Sequence, residues 1–185
     1  MDIILKPLKK DTLVFKKIKS RKDLDNGNYD GYLIDSDEKE IRKIIEILKN
    51  KKKKIAVLGR DDAFNRRIIE TCKIDYLVSP EKNHQRDTLK QRDSGLNHIT
   101  AKEAREKNIF IVINFSDVLK TNGKNKSLLL ARIMQNIRIC RKANCRIKIA
   151  TFAEDKEQLR SENDLRAFLF SLGMSSQQVR EAFEF

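Results

Sequence analysis

Apolar positions along this chain follow two alternating rhythms. Continuous runs such as Tyr32-Leu33-Ile34, Ile55-Ala56-Val57-Leu58, Tyr76-Leu77-Val78, Ile109-Phe110-Ile111-Val112-Ile113 and Ile147-Lys148-Ile149-Ala150 predict short strands, with the β-branched and aromatic run Ile109 to Ile113 expected to be covered on both faces. Between them, apolar residues recur at i, i+3, i+4 and i+7. Ile41, Ile44, Ile45 and Leu48 form one such stripe, Leu130, Ile133, Met134, Ile137 and Cys140 another, and Leu165, Phe168, Leu169 and Leu172 a third, while Phe64, Ile68 and Cys72 share one face of a further helical stretch. Each predicts an amphipathic helix. Strands alternating with helices define an α/β chain built from βα units.

Local signals place the ends of these elements. Ser36 and Asp61 are candidate N-caps, Ser127 opens the longest helix, and Ser161 with Asp164 forms a capping box ahead of a helix that stops at Gly173. A last short helix starts at Ser175 or Ser176. Between Arg92 and Asp117, Asp93-Ser94-Gly95 predicts a turn and Leu96-Asn97-His98-Ile99 a strand end. Thr100 with Glu103 then reads as a capping box, with Ile99 stapled against Ala104. Ile3-Ile4-Leu5 predicts a first strand ended by Pro7, and Asp25-Asn26-Gly27-Asn28 a turn. Residues 9–22 are basic and the least readable, and residues 81–91 predict a polar loop or short surface helix. With about seven strands on 185 residues, a single domain over residues 1–185 is expected. Periodicity leaves an open doubly wound sheet and a closed α/β barrel equally open, since eight-unit barrels usually need about 250 residues.

Charge narrows the partner. Lys plus Arg number 40 against 27 Asp plus Glu, a net +13, which favours a polyanion. Between Asp117 and Glu154 there is no acidic residue. Lys120, Lys124, Lys126, Arg132, Arg138, Arg141, Lys142, Arg146 and Lys148 together carry nine of the thirteen net charges, and Arg132, Arg138 and Lys142 are expected off the helix stripe. Aromatics are 6% with no Trp, so stacking on single-stranded bases is disfavoured and a folded RNA held by its backbone is the better fit. With no apolar run near eighteen residues and no signal-like opening at Met1-Asp2-Ile3-Ile4-Leu5, a cytoplasmic protein without membrane partners is expected.

Catalytic patterns are sparse. His84 and His98 are the two histidines, without metal-ligand spacing, and no phosphate-binding glycine loop or nucleophile elbow occurs. His98 is placed at a strand end, where barrel enzymes carry sites. Asp30, Asp35, Asp61 and Asp75 are possible metal ligands, though capping accounts for Asp61 and strand termination for Asp35. Cys72, Cys140 and Cys145 lack paired spacing and are expected to be reduced, partly buried thiols.

The run Asp93-Ser94-Gly95-Leu96-Asn97-His98-Ile99, followed by Ala101 and Ala104, resembles the archaeal and eukaryotic ribonuclease P protein subunit family called component three in archaea. Three further blocks carry the same resemblance: Tyr29-Asp30-Gly31-Tyr32-Leu33-Ile34; Asn114-Phe115-Ser116; and Leu159-Arg160-Ser161 leading to Leu172-Gly173-Met174. It covers residues 29–174, and it departs at Phe152, where the family usually has a small residue. The resemblance implies a TIM-barrel-like α/β fold of about seven parallel strands with surrounding helices. The shape is related to metal phosphoesterases but lacks their metal site. It implies a non-catalytic subunit of an endonuclease, the ribonucleoprotein that removes the 5′ leader of precursor tRNA, with magnesium held by the RNA and no cofactor on the protein. A small ferredoxin-like protein would complete a heterotetramer.

Positions at strand ends or off the helix stripe nominate Arg60, Arg92, Lys120, Arg132, Arg141 and Arg160 as RNA contacts. Two rival readings are a metal-dependent phosphoesterase of similar barrel shape using His84, His98 and aspartates, and a scaffold whose basic face binds acidic proteins.

Overall fold

The computed structural model describes residues 1–25, 27–82, 87 and 92–185. Its strands are β1 (Asp2–Ile4), β2 (Thr12–Ile18), β3 (Gly31–Ile34), β4 (Lys54–Leu58), β5 (Tyr76–Val78), β6 (Phe110–Asn114) and β7 (Ile147–Ala150). The helices are α1 (Glu38–Leu48), α2 (Asp62–Thr71), α3 (His98–Glu106), α4 (Phe115–Lys120), α5 (Gly123–Ala143), α6 (Glu162–Ser171) and α7 (Ser176–Glu181). None of the described helices is long and apolar enough to cross a membrane.

All seven strands are parallel and follow one another around the sheet in chain order. A doubly wound sheet reverses its order at a switch point. Here the order never reverses and the two outer strands meet. The Phe152 amide donates to the Ile3 carbonyl at 2.8 Å and the Leu5 amide to the Ala153 carbonyl at 2.9 Å. The Asp2 carboxylate accepts from the Thr151 amide at 2.8 Å and from its hydroxyl at 2.6 Å. The result is a nearly closed TIM-barrel-like fold, which settles the architecture that periodicity leaves open.

Two apolar layers follow from the strand period. Ile3, Phe15, Leu33, Ala56, Tyr76, Val78, Val112, Ala150 and Phe152 point into the barrel, filling it as side chains fill small barrels generally. Large and small residues alternate across strands: Leu33 lies opposite Ala56, and Ala56 opposite Tyr76. Gly31 lies opposite Phe15, and a Cβ there would sit 2.6 Å from the Phe15 ring and 2.5 Å from the Lys54 carbonyl oxygen. Phe152 contributes its ring to this interior at 1% exposure, on a backbone with φ of 47°. The large side chain at this position therefore adds to the core rather than to a solvent-facing loop. The opposite faces of the strands pack against the helices, where Ile41, Ile44 and Ile68 are fully buried. Each such side chain contributes about 1.5–3 kcal/mol.

Several predicted boundaries move. Asp37, not Ser36, caps α1 by accepting from the Glu40 amide. Residues Leu96 to Ile99 form no strand end: Asn97 Oδ1 accepts from the Ile99 and Thr100 amides and Thr100 Oγ1 accepts from the Asn97 amide, so the helix begins at His98. Ile99 is 73% exposed and staples nothing. Helix α5 starts four residues before Ser127, because Lys124-Asn125-Lys126 adds a polar turn with no apolar stripe to announce it. The unreadable residues 9–22 hold β2 and the start of a 3-10 turn at Arg21–Asp23. Asn26 of the predicted Asp25–Asn28 turn, and residues 83–86 and 88–91 of the predicted 81–91 loop, lie outside the described residues.

Candidate nucleic-acid interface

The loops that follow the strands form one end of the barrel, the end at which barrel proteins place their sites. Asn65, fully buried on α2, builds much of it. Its Oδ1 accepts from the Arg60 amide at 2.7 Å, and its Nδ2 donates to the carbonyls of Arg60 at 2.9 Å, Pro80 at 3.3 Å and Gly95 at 2.9 Å. One side chain thus ties the loop after β4 to the loop after β5. Gly95 has φ of 72°, and a Cβ there would lie 1.9 Å from the Pro80 carbonyl oxygen, so no other residue fits. The Asp93–Ile99 run is a packing device rather than a reactive site.

Arg60 stands exposed at this mouth, its guanidinium 5.1 Å from the Phe64 ring centre and 3.9 Å from Asp35. Lys120, at the end of α4, lies 3.6 Å from Glu154; both are about half exposed, so this pair adds little to stability. Arg92 is exposed just before the Asp93 turn, where its carbonyl accepts from Gln135 Nε2 at 3.1 Å. Lys82, which sequence reasoning passed over, joins them, held at 2.8 Å by an Asp117 carboxylate that also accepts from Ser79 Oγ at 2.8 Å.

The remaining nominated residues lie elsewhere. Arg141 sits at the far end of α5, where Nε donates to Gln178 Oε1 at 2.8 Å and the guanidinium also reaches the Gly173 carbonyl. Arg160, on the connection from β7 to α6, donates to the carbonyls of Glu157 and Leu159 at 2.6 and 2.7 Å, and lines with Lys9 and Lys10 a cavity of about 280 Å³ beside β1 and β2. Arg132 does not point off the helix stripe into solvent. It is 7% exposed and gives Nε and Nη2 to Asp87 at 3.0 and 2.7 Å, and Nη1 to the Glu81 carbonyl at 3.4 Å. Burial would raise the Asp87 carboxyl, but the Asp93 amide and Arg132 outweigh it and hold the group below its usual range.

The sign-pure window is therefore not one patch. Helix α5 spans 21 residues, about 30 Å, and spreads its cations along the barrel's height. Lys148 leaves the surface entirely: it is 1% exposed, its ammonium 4.6 Å from the Phe110 ring centre and 5.0 Å from that of Phe185. Burial and the neighbouring Arg146 push it down to about 8. Glu81, in a segment that reads as polar loop, is also buried. Its carboxyl is pushed up to about 7 by burial, with Asn136 Nδ2 at 3.3 Å.

The metal-site candidates are dispersed. His98 is exposed at the first position of α3 rather than at a strand end, and His84 lies outside the described residues. Asp30 accepts from the Val14 amide at 2.8 Å, Asp35 pairs with Lys17 at 3.1 Å, Asp61 caps α2, and Asp75 binds the Ile55 amide at 2.8 Å and Lys54 at 3.0 Å. Among the described residues no group of three or more His, Cys, Asp or Glu could hold a metal ion. The three cysteines are free and buried.

Known proteins share both sequence and fold with this chain. It is 30% identical over 145 residues to ribonuclease P protein component 3 of Methanocaldococcus jannaschii, covering 78% of this chain and 60% of that protein. It is 30% identical over 132 residues to the component 3 of Methanococcus maripaludis strain C7, covering 71% and 54% respectively. The chain thus spans a little over half the length of these curated relatives. Its fold matches a chain in a cryo-EM structure of archaeal ribonuclease P with mature tRNA, at a TM-score of 0.74 and 24% identity over 92% of this chain and 77% of that one. An amidohydrolase crystal structure shares the barrel at a TM-score of 0.56 and 12% identity, over 82% of this chain and 40% of that one. The model of the family described as RNase P subunit p30 matches residues 32–184, from β3 past the last helix, and the chain belongs to that family.

Proposed function

We propose that this chain is a protein subunit of ribonuclease P that binds and stabilises the catalytic RNA for 5′ maturation of precursor tRNA in the cytoplasm. The observation that carries this reading is the family match across residues 32–184, which takes in β3 to β7 and the helices that surround them. The site geometry agrees with a supporting role. The barrel interior is packed with Phe15, Tyr76 and Phe152, and the mouth carboxylates Asp35, Asp61 and Asp117 are each engaged in ion pairs or backbone hydrogen bonds. What the mouth offers outward is positive charge, at Arg60, Arg92 and Lys120.

Folding an RNA brings phosphates together, and fixed cations that displace condensed counterions lower the cost of doing so. The protein then reduces the magnesium the RNA needs, while magnesium held by the RNA performs the chemistry and the protein binds no cofactor. A small ferredoxin-like subunit joins it as a heterotetramer. Reconstituted cleavage of precursor tRNA by the RNA, the small subunit and this chain tests the proposal. The magnesium requirement is expected to fall when this chain is added; an unchanged requirement defeats the reading.

A further inference from the structure

The opposite end of the barrel carries a basic groove that the sequence reading did not nominate. The loops entering β4, β5 and β6 meet there, and with the C-terminal ends of α1 and α2 they enclose a cavity of about 630 Å³. Six cations line it, Arg42, Lys49, Lys51, Lys53, Lys73 and Lys107, against two carboxylates, Glu46 and Asp75.

Part of this charge has a local explanation. Helix C-termini attract cations, and Lys107 Nζ donates to the Ile69 carbonyl at 3.0 Å at the end of α2, while also pairing with Glu103 at 2.8 Å. Arg42 is held by Glu38 at 2.8 Å and by Thr71, Lys49 lies 3.6 Å from Glu46, and Lys53 reaches the Tyr29 carbonyl. Lys51 and Lys73 remain. Both are exposed at the groove mouth, and neither forms an ion pair or side-chain hydrogen bond among the described residues.

We propose that this groove is a second contact for an RNA backbone, at the end of the barrel opposite Arg60 and Lys120, with Lys51 and Lys73 facing phosphates. This deepens the RNA-binding reading above and rests on it. The lining favours phosphate over a protein partner. Protein interfaces are depleted in lysine and enriched in aromatic residues, whereas this groove has five lysines and no aromatic side chain. The same lack of aromatics leaves no platform for base stacking. The contact is therefore to the backbone and independent of sequence. Basic loops at both ends of β4, β5 and β6 make one flank of the barrel the RNA-facing side.

The test is a salt series of anisotropy titrations of a labelled ribonuclease P RNA transcript with the full chain. Each lost phosphate contact lowers the slope of log K against log salt by about 0.7–0.9. Lys51→Ala/Lys73→Ala is expected to lower it by about 1.5 with unchanged far-UV circular dichroism, while Lys22→Ala/Arg180→Ala, which removes equal charge elsewhere, keeps the wild-type slope. A wild-type slope in Lys51→Ala/Lys73→Ala overturns the groove proposal and leaves RNA binding standing. The same slope combined with lost binding of an acidic protein partner overturns it in favour of a protein interface. If the unmodified chain shows no salt-dependent RNA binding, the RNA reading fails first and the groove proposal falls with it.

Discussion

Arg132 Nη2 lies 2.7 Å from the Asp87 carboxylate across 45 residues of sequence, in a setting where the arginine side chain is 8% exposed and the aspartate 18%. A cation from the acid-free window between Asp117 and Glu154 thus anchors the segment after β5 instead of meeting solvent. Removing one member of a buried pair costs about 3–5 kcal/mol, because the other charge is left buried alone. Arg132→Met is expected to destabilise the protein on that scale in urea unfolding. A loss below about 1 kcal/mol would show that the pair is not structurally important.

Arg60 is the contrasting case. It is exposed, its ion pair with Asp35 is long at 3.9 Å, and its backbone rather than its side chain is held by Asn65. Arg60→Ala is expected to shift stability by less than about 0.5 kcal/mol while lowering the salt slope of RNA binding by about one. The two readouts separate a contact residue from a structural one, and an unchanged slope removes Arg60 from the interface.

Asn65 fixes the mouth on which Arg60 stands. Asn65→Ala strands the Pro80 and Gly95 carbonyls and frees the Arg60 loop, with a cost of about 2–4 kcal/mol for several lost buried hydrogen bonds. Gly95→Ala meets both a positive φ and a carbonyl oxygen 1.9 Å away, and is expected to destabilise at least as much. Denaturant midpoints of the two variants check this; near-native midpoints would mean that the loops hold their shape without the hub.

Legibility in the sequence divides along physical lines. Strands β3 to β7 were readable because burial on both faces leaves unbroken apolar runs, and α6 because Ser161, Asp164 and Gly173 mark its two ends. Closure of the barrel was not, since it rests on Asp2 reaching Thr151 across 149 residues, a contact with no local signature. The Arg92–Asp117 stretch is readable as a turn and helix, but the capping box sits three residues earlier than the Thr100–Glu103 pair suggests: Asn97 is the N-cap and Thr100 its reciprocal partner three residues on, because the Asn97 side chain accepts from two amides at once. For the interface, charge count pointed to a polyanion without saying which cations face out. Arg132 reads like Arg138, off the helix stripe, and only packing tells them apart, while Lys148 lies within a strand run and is buried with it. Buried Glu81 gave no signal at all.

Glu81 makes stability depend on pH in a direction opposite to that of most carboxylates. Burial lifts it from 4.5 to about 7 in the folded chain, so between those values the folded state holds a proton that the unfolded state has released. Stability is then fully present below about pH 4.5 and declines as pH rises through about 7. The full loss is on the order of 3 kcal/mol, set by the difference between the two values. Burial outweighs the one side-chain donor nearby, Asn136 Nδ2 at 3.3 Å from Glu81 Oε2, which by itself favours the carboxylate. Glu81→Gln, neutral at every pH and nearly the same shape, is expected to flatten this decline and to be more stable than the unmodified chain at pH 8. Urea unfolding of both proteins from pH 5 to pH 8 measures the difference. Parallel curves would show that Glu81 is charged throughout, with Asn136 and its surroundings absorbing the cost.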